Sequence, residues 1–396
     1  MPQIALERGD QVRLAVLPPL ALYVHIPWCV RKCPYCDFNS HERAGELPER
    51  AYVQKLIFDL EAILPSVWGR RLGSVFVGGG TPSLFSPEAI DELLAAVRAR
   101  LPLDPGAEVT LEANPGTVEA GRFRGFRAAG VNRISIGVQS FDDRMLGALG
   151  RIHNAAEARR AIEAALASFD NVNIDLMYGL PGQSAAMARA DLGQALSLGT
   201  PHLSAYQLTI EPNTAFYSRP PALPEHDLCA DMQLAAEELL GAAGFEHYET
   251  SAFARPGRRC RHNLNYWQFG DYLGIGAGAH GKISFPDRIT RHSRIKQPRD
   301  YLASKSSLVE EREIPAAELP FEFMLNALRL TDGFPPDLFI ERTGLPLSRV
   351  EKALEKAENQ GLLERDWKRI APSARGRLFL NELLEIFLGA GNKDRG

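Results

Sequence analysis

The chain lacks any uninterrupted apolar run long enough to cross a bilayer. Its start, MPQIALERGDQVRLAVLPPLALYVHIP, is broken by Glu7, Arg8, Asp10, Arg13 and the Pro18–Pro19 pair, and has no signal-peptide order. A cytoplasmic location is the expectation. Cysteine is scarce: five among 396 residues are too few for a disulfide framework. A basic excess is missing as well. With 45 Lys and Arg against 49 Asp and Glu, the formal charge of -4 gives no reason to expect a nucleic-acid partner. Internal repeats and low-complexity segments are absent. The 45% hydrophobic and 24% charged content is that of an ordinary globular chain, long enough for two or three domains.

What is present is alternation. Strand-like runs fall at residues 20–27, 74–79, 108–114, 133–140, 171–179 and 202–209. Amphipathic segments at 48–64, 87–100, 117–129, 154–167 and 185–198 lie between them, with apolar residues at helical spacing. This pattern predicts βαβ units and a parallel sheet. Six units fall short of a closed eight-unit barrel, so an open, partial (β/α)6 TIM-like barrel is expected. A helix is predicted from Pro224 to Ala243. The following stretch, RPGRRCRHNLNYWQFGDYLGIGAGAHG, reads as loop and short strand. From about Pro320 helices dominate and a short hairpin follows, which predicts a mostly helical, winged-helix-like module. Its Arg365, Lys368, Arg369, Arg375 and Arg377 alternate with acidic and apolar residues, a pattern that suits packing better than DNA binding. The tail GNKDRG is expected to fray. The expected division is 1–215 for the barrel, 216–315 for an extension and 316–396 for the C-terminal module.

Three of the five cysteines fall within eight residues, Cys29-Val-Arg-Lys-Cys33-Pro-Tyr-Cys36, just past the first strand. Ligands of α/β folds bind at that end of the sheet. Thiolates select zinc or iron–sulfur clusters. A structural zinc asks for four closed ligands, usually two CxxC-type pairs. No fourth local ligand is obvious, since Asp37 is a hard ligand and His25 lies on the preceding strand. Zinc completed by a distant residue is the alternative. Three thiolates around a four-iron cubane leave one iron open.

Other polar groups gather at the same edge. Gly78-Gly79-Gly80-Thr81-Pro82 ends the second strand and lets backbone approach a ligand closely. Glu112 ends the third strand, Gln139 and Ser140 the fourth, and Asp175 the fifth. Arg151 follows in a turn, placed to pair with a carboxylate.

At CxxxCxxC, with Tyr35 before the third cysteine, the sequence resembles the radical S-adenosylmethionine superfamily. In that superfamily the methionyl group of S-adenosylmethionine chelates the open iron of a 4Fe–4S cluster. The reduced cluster splits the sulfonium to a 5′-deoxyadenosyl radical. YVHIPWCVRKCPYCDF, GGGTPS, NRISIGVQSF, NIDLMYGLPGQ and the C-terminal module together resemble the anaerobic coproporphyrinogen-III oxidase family over nearly the whole chain. The resemblance implies a radical S-adenosylmethionine barrel with Cys29, Cys33 and Cys36 on the cluster. It implies cofactor contacts from Tyr23, Tyr35, Gly79, Gly80, Thr81, Glu112, Gln139, Arg151 and Asp175.

The family holds both a dehydrogenase and heme chaperones. The dehydrogenase carries an extra cysteine where this chain has Phe38, and a longer amino-terminal extension. His262-Asn263-Leu264-Asn265-Tyr266-Trp267 matches the HNxxYW motif of the chaperones. The resemblance therefore favours a heme chaperone over an enzyme. It implies heme, an electron donor and acceptor hemoproteins as partners, membrane-associated respiratory enzymes among them, and leaves room for a homodimer. His262 is the expected heme ligand and His280 the second candidate. Tyr266 and Trp267 would offer aromatic faces, and Arg255, Arg258, Arg259 and Arg261 would neutralise propionates. No CxxCH is present, so c-type attachment is not expected.

Overall fold

The structure, a computed structural model, describes residues 11–117 and 120–388. The tail expected to fray, 391–396, lies outside the described residues, as do two positions of the helix expected at 117–129.

Six strands follow one another in chain and in space: β1 (Leu20–Ile26), β2 (Leu72–Gly79), β3 (Leu103–Ala113), β4 (Arg133–Gln139), β5 (Val172–Tyr178) and β6 (His202–Gln207). Each pairs with the next in parallel. Parallel strands are covered on both faces and so need near-continuous apolar runs. LALYVHI meets that need, with six of its seven residues buried. The helices α1 (Glu49–Ile63), α2 (Pro87–Arg100), α3 (Ala120–Ala129), α4 (Asp143–Ala148), α5 (Ala155–Leu166) and α6 (Ala185–Ser197) fill the crossovers. Their starts are chemically marked. Ser86 Oγ accepts the Ala89 N–H, and Asn154 with Glu157 forms a capping box.

After α7 (His226–Ala242) the chain extends the sheet on both sides. β7 (Glu246–Glu249) and β8 (Ala252–Ala254) add antiparallel strands beyond β6. The stretch read as loop contains a helix, α8 (Arg261–Trp267), and a strand, β9 (Asp271–Ile275). β9 pairs in parallel with the outer side of β1, and β10 (His280–Ser284), β11 (Ile289–Arg294) and β12 (Leu308–Glu313) follow antiparallel. Among the described residues the result is one 12-stranded sheet, β12-β11-β10-β9-β1-β2-β3-β4-β5-β6-β8-β7. It stays open, with β12 and β7 at its edges.

One core packs the sheet against its helices. Leu22, Val24, Ile26, Val75, Val77, Leu111, Ile134, Ile136 and Ile174 are fully buried there, each worth about 1.5–3 kcal/mol relative to exposure. A second core gathers around Phe323, whose ring meets Phe269, Phe334 and Phe339 edge-on. It is built from α9 (Leu319–Ala327), α10 (Pro336–Thr343), α11 (Glu351–Asn359) and the hairpin Leu363–Arg365 with Ile370–Pro372. Val12 and Leu14, ahead of β1 in the chain, pack into this second core.

Candidate functional site

The cysteine loop leaves β1 and is closed at its neck by backbone bonds, His41 N–H to Pro27 O at 2.7 Å and Arg43 N–H to Cys29 O at 2.9 Å. Inside it, Cys36 N–H reaches Cys33 O at 3.1 Å, a tight turn between two of the thiols. His25 anchors the far end. Its Nε2–H donates to Asn39 O at 2.9 Å and its Nδ1 accepts from the Tyr23 hydroxyl at 2.9 Å, the tautomer that a carbonyl partner requires. Asn39 Nδ2 in turn donates to Ala277 O at 2.9 Å and Lys296 O at 2.8 Å. The loop is therefore held by β1 on one side and by the segments flanking β10 and β11 on the other.

All three cysteines are free thiols and border one cavity of about 440 Å³ at the carboxyl end of β1–β6. Arg151 Nη1 lies 3.5 Å from Cys33 Sγ, and Ser40 Oγ lies 3.6 Å from Cys36 Sγ. Burial pushes the Cys29 and Cys36 thiols up, while hydrogen bonds from Thr81 and Ser40 pull them back. Among the described residues no three His, Cys, Asp or Glu side chains are drawn together as the shell of one metal ion.

The glycine strand end lines the same cavity. Gly79 has φ +119°, and a Cβ there would sit 2.6 Å from the His25 ring. At Gly80 a Cβ would sit 2.6 Å from Trp28 O, against the cysteine loop itself. Only glycine lets this strand pass so close to that loop. The Gly79 N–H donates to Glu112 Oε2 at 3.0 Å. Burial, reinforced by the nearby Asp175 carboxylate, raises Glu112 to about 8. Asp175, itself raised by burial, accepts from Ser135 Oγ at 3.0 Å and Asn173 Nδ2 at 2.8 Å. Gln139 closes β4 with φ +74°, a left-handed conformation that costs a non-glycine residue about 1–2 kcal/mol. Arg151 bonds Gly137 O at 2.5 Å as well as facing Cys33, so its guanidinium braces strand and sulfur rather than a carboxylate.

The structure thus brings Cys29, Cys33, Tyr35, Cys36, Gly79, Gly80, Thr81, Glu112, Gln139, Arg151 and Asp175 to one cavity. Tyr23 stands one layer behind it, stacked on Phe76 and bonded to His25. Ser140 is turned away and donates to Asp191 Oδ2 at 2.7 Å. His262 is buried with its ring against Phe76, near Tyr23, and its Nδ1 3.0 Å from Ser74 Oγ. Burial and then Arg133 lower it to about 3, so it is neutral. His280 is exposed at the start of β10.

Sequence reasoning missed Arg133, Ser135, Asn173, Ser204 and Asn263 on the cavity wall. The signal was a period of two: Arg133, Ser135, Gly137 and Gln139 alternate along β4, as Asn173 and Asp175 do on β5. Several side chains around HNxxYW have partners within the protein. Arg259 pairs with Glu246 and Asp332, Arg261 bonds Gly106 O, and Arg255 bonds Ala243 O. Trp267 lies under the Arg329 guanidinium, and Tyr266 packs on Tyr272.

Comparison with known proteins fits this geometry. The Radical SAM superfamily profile matches residues 23–192 and the HemN C-terminal domain profile residues 314–379. A protein of Escherichia coli (strain K12) named heme chaperone HemW is 54% identical, the alignment covering 94% of this chain and 99% of that protein. The chain belongs to the HemW family. The HemW of Haemophilus influenzae is 51% identical over 94% of the chain and 98% of its own length. The mitochondrial radical S-adenosyl methionine domain-containing protein 1 of Bos taurus is 37% identical over 92% and 86%. The solved structure of coproporphyrinogen III oxidase HemN from E. coli superposes with a TM-score of 0.79 at 22% identity, covering 94% of this chain and 90% of that one, and shares the fold.

As a radical S-adenosylmethionine scaffold, the HemW family implies a 4Fe–4S cluster and S-adenosylmethionine. The residues present fit both. Three free thiols with hydrogen-bond donors beside them face a cavity whose glycine edge a single Cβ would obstruct.

Proposed function

We infer that this chain is a heme chaperone, binding heme and passing it to acceptor hemoproteins. The observation that carries the reading is the 54% identity to the E. coli heme chaperone HemW across 99% of that protein. Phe38, where the dehydrogenase places a further cysteine, supports it. Cys29, Cys33 and Cys36 hold the cluster in this reading. Tyr35, Gly79, Gly80, Thr81, Glu112, Gln139, Arg151 and Asp175 receive S-adenosylmethionine, and Tyr23 acts from behind through His25. A 4Fe–4S cluster held by these thiols would supply one-electron reducing chemistry, its electron coming from a donor protein. The chain's own groups orient the cofactor: the Gly79–Gly80 backbone leaves room for it, and Glu112 and Asp175 offer carboxylate oxygens to its cationic and hydroxyl groups.

Respiratory hemoproteins as acceptors, an electron donor and a homodimer belong to the same proposal, as does the division at residues 215 and 315. A cytoplasmic location suits free thiols and an oxygen-sensitive cluster. No described helix is long and apolar enough to cross a membrane.

The test is anaerobic reconstitution followed by two assays on one sample. Heme binding near one equivalent, without protoporphyrinogen formation from coproporphyrinogen, is expected. Turnover of coproporphyrinogen would make the chain the dehydrogenase instead. Serine at all three of Cys29, Cys33 and Cys36 should take bound iron from about four per chain to near none, measured with labile sulfide.

A further inference from the structure

The heme reading leaves open where the porphyrin sits. An iron ligand must reach solvent, and most of the nine histidines do not. His25, His202 and His262 are buried with both or one ring nitrogen hydrogen-bonded, to Tyr23 and Asn39, to Asn173 and Tyr248, and to Ser74. His153 is buried against Val138 O, and His292 is packed beneath Gly281. His247 is stacked on Phe253 with ring centroids 4.3 Å apart. His226 is exposed but stands between Glu225 and Asp227, where propionates are repelled. His41 is turned to Asn39 Oδ1 at 3.2 Å.

His280 differs from all of these. It is exposed, and partial burial of the ring with Lys296 and Arg291 nearby outweighs the Glu310 carboxylate and lowers it, so the imidazole is neutral and able to ligate. It lies in one cross-strand row with Ser293 and Glu310, at the seam where the cysteine loop meets the sheet extension. The seam is tight. Asn39 Nδ2 bonds Ala277 O and Lys296 O, and a Cβ on Gly278 would fall 2.3 Å from that same nitrogen. Directly before Asn39, Phe38 is 59% exposed, an unusual degree for a phenylalanine, and it also borders the cavity. Lys32 Nζ bonds Phe38 O at 3.2 Å, and Lys296, whose carbonyl holds Asn39, is exposed, so two lysines belong to this rim.

A heme needs a neutral nitrogen ligand, an apolar plate to lie on and cations for two carboxylates. This rim supplies each. We propose that heme binds at the seam between the cysteine loop and β10–β11, with His280 as the iron ligand, Phe38 as the packing face, and Lys32 and Lys296 toward the propionates. The placement rests on the heme-chaperone reading above. It sets the iron beside the cluster cavity rather than within it, leaving that cavity to the cluster and S-adenosylmethionine.

The test is anaerobic titration of cluster-loaded full-length protein with heme, following the Soret band in the wild type, His280→Gly, Lys296→Glu and Phe38→Ala. His280→Gly should bind at least about tenfold more weakly, lose the imidazole-ligated spectrum and recover it with added imidazole, at unchanged iron and sulfide content. Lys296→Glu and Phe38→Ala should weaken binding with the ligand spectrum retained. Wild-type spectrum and affinity in His280→Gly would overturn the placement while leaving the chaperone reading intact. Absence of heme binding by the wild type would overturn that reading, and the placement with it.

Discussion

Glu112 is a carboxyl whose charge depends on what lies beside it. Raised to about 8 by burial and Asp175 against the pull of Arg133, it is protonated at neutral pH when no cationic ligand is bound. A bound sulfonium or ammonium favours the ionised form, so S-adenosylmethionine should bind more tightly as pH rises toward about 8 and level off above. Glu112→Gln should flatten that dependence, measured by calorimetry between pH 6 and pH 9 (about two decades below to one above the titration). The same shift acts on stability with the opposite sense. The folded chain holds this proton more tightly than the unfolded chain, so the contribution of Glu112 falls between its ordinary value and about 8. Gly80 gives a prediction from shape alone. In Gly80→Ala the methyl meets Trp28 O at 2.6 Å, backbone that holds Cys29, and should cost about 1–3 kcal/mol in thermal unfolding and reduce reconstituted iron. Residues at strand ends were legible in the sequence because polar groups there interrupt apolar runs. Arg133 was not, because one arginine inside a strand reads as a break in the core until the alternation with Ser135, Gly137 and Gln139 is noticed.

At the scale of elements, the first six strands and five of the six helices between them were legible, though β3 starts at Leu103, ahead of the expected 108, and α4 (Asp143–Ala148) was not foreseen. Apolar runs of period two and helices capped by Ser86, Asn154 and Ser184 leave little freedom. α8 was not legible, since its seven residues carry no apolar stripe and its cap comes from elsewhere. Glu108 on β3 accepts the backbone N–H of Arg261 through Oε2 and of His262 through Oε1, both at 3.1 Å, and the Cys260 thiol at 3.4 Å. A residue more than 150 positions away thus starts the helix. The HNxxYW segment reads physically as a staple. His262 bonds Ser74 on β2, and Asn265 Nδ2 bonds Asp271 O at 2.9 Å and fills the space beside Gly270. Trp267 meets Arg329 beyond α9. Glu108→Gln removes one acceptor from two buried N–H groups. It should lower stability by about 1–3 kcal/mol in denaturant unfolding, with α8 losing hydrogen-exchange protection before β1 does.

Across the whole molecule, the extension behind β1 gives the cysteine loop its second wall. β9 completes the sheet beside β1, and the buried Asp271 locks it in place with Lys282 and Arg70, each at 2.8 Å. Asn39 then ties the loop to that extension. The cluster loop is accordingly braced at Asn39 by carbonyls 238 and 257 residues further along the chain, a geometry no local pattern announces. The preformed cofactor cavity and the exposed rim proposed for heme adjoin at Phe38, so cofactor and cargo have neighbouring but distinct places in this account. The measurement that bears most directly on this account is heme transfer. Cluster-loaded, heme-loaded protein is mixed anaerobically with an apo-hemoprotein, and the Soret bands of donor and acceptor are followed together. The account predicts loss of the donor band matched by growth of the acceptor band. Heme retained by the chain, or released no faster with acceptor than without it, would contradict it.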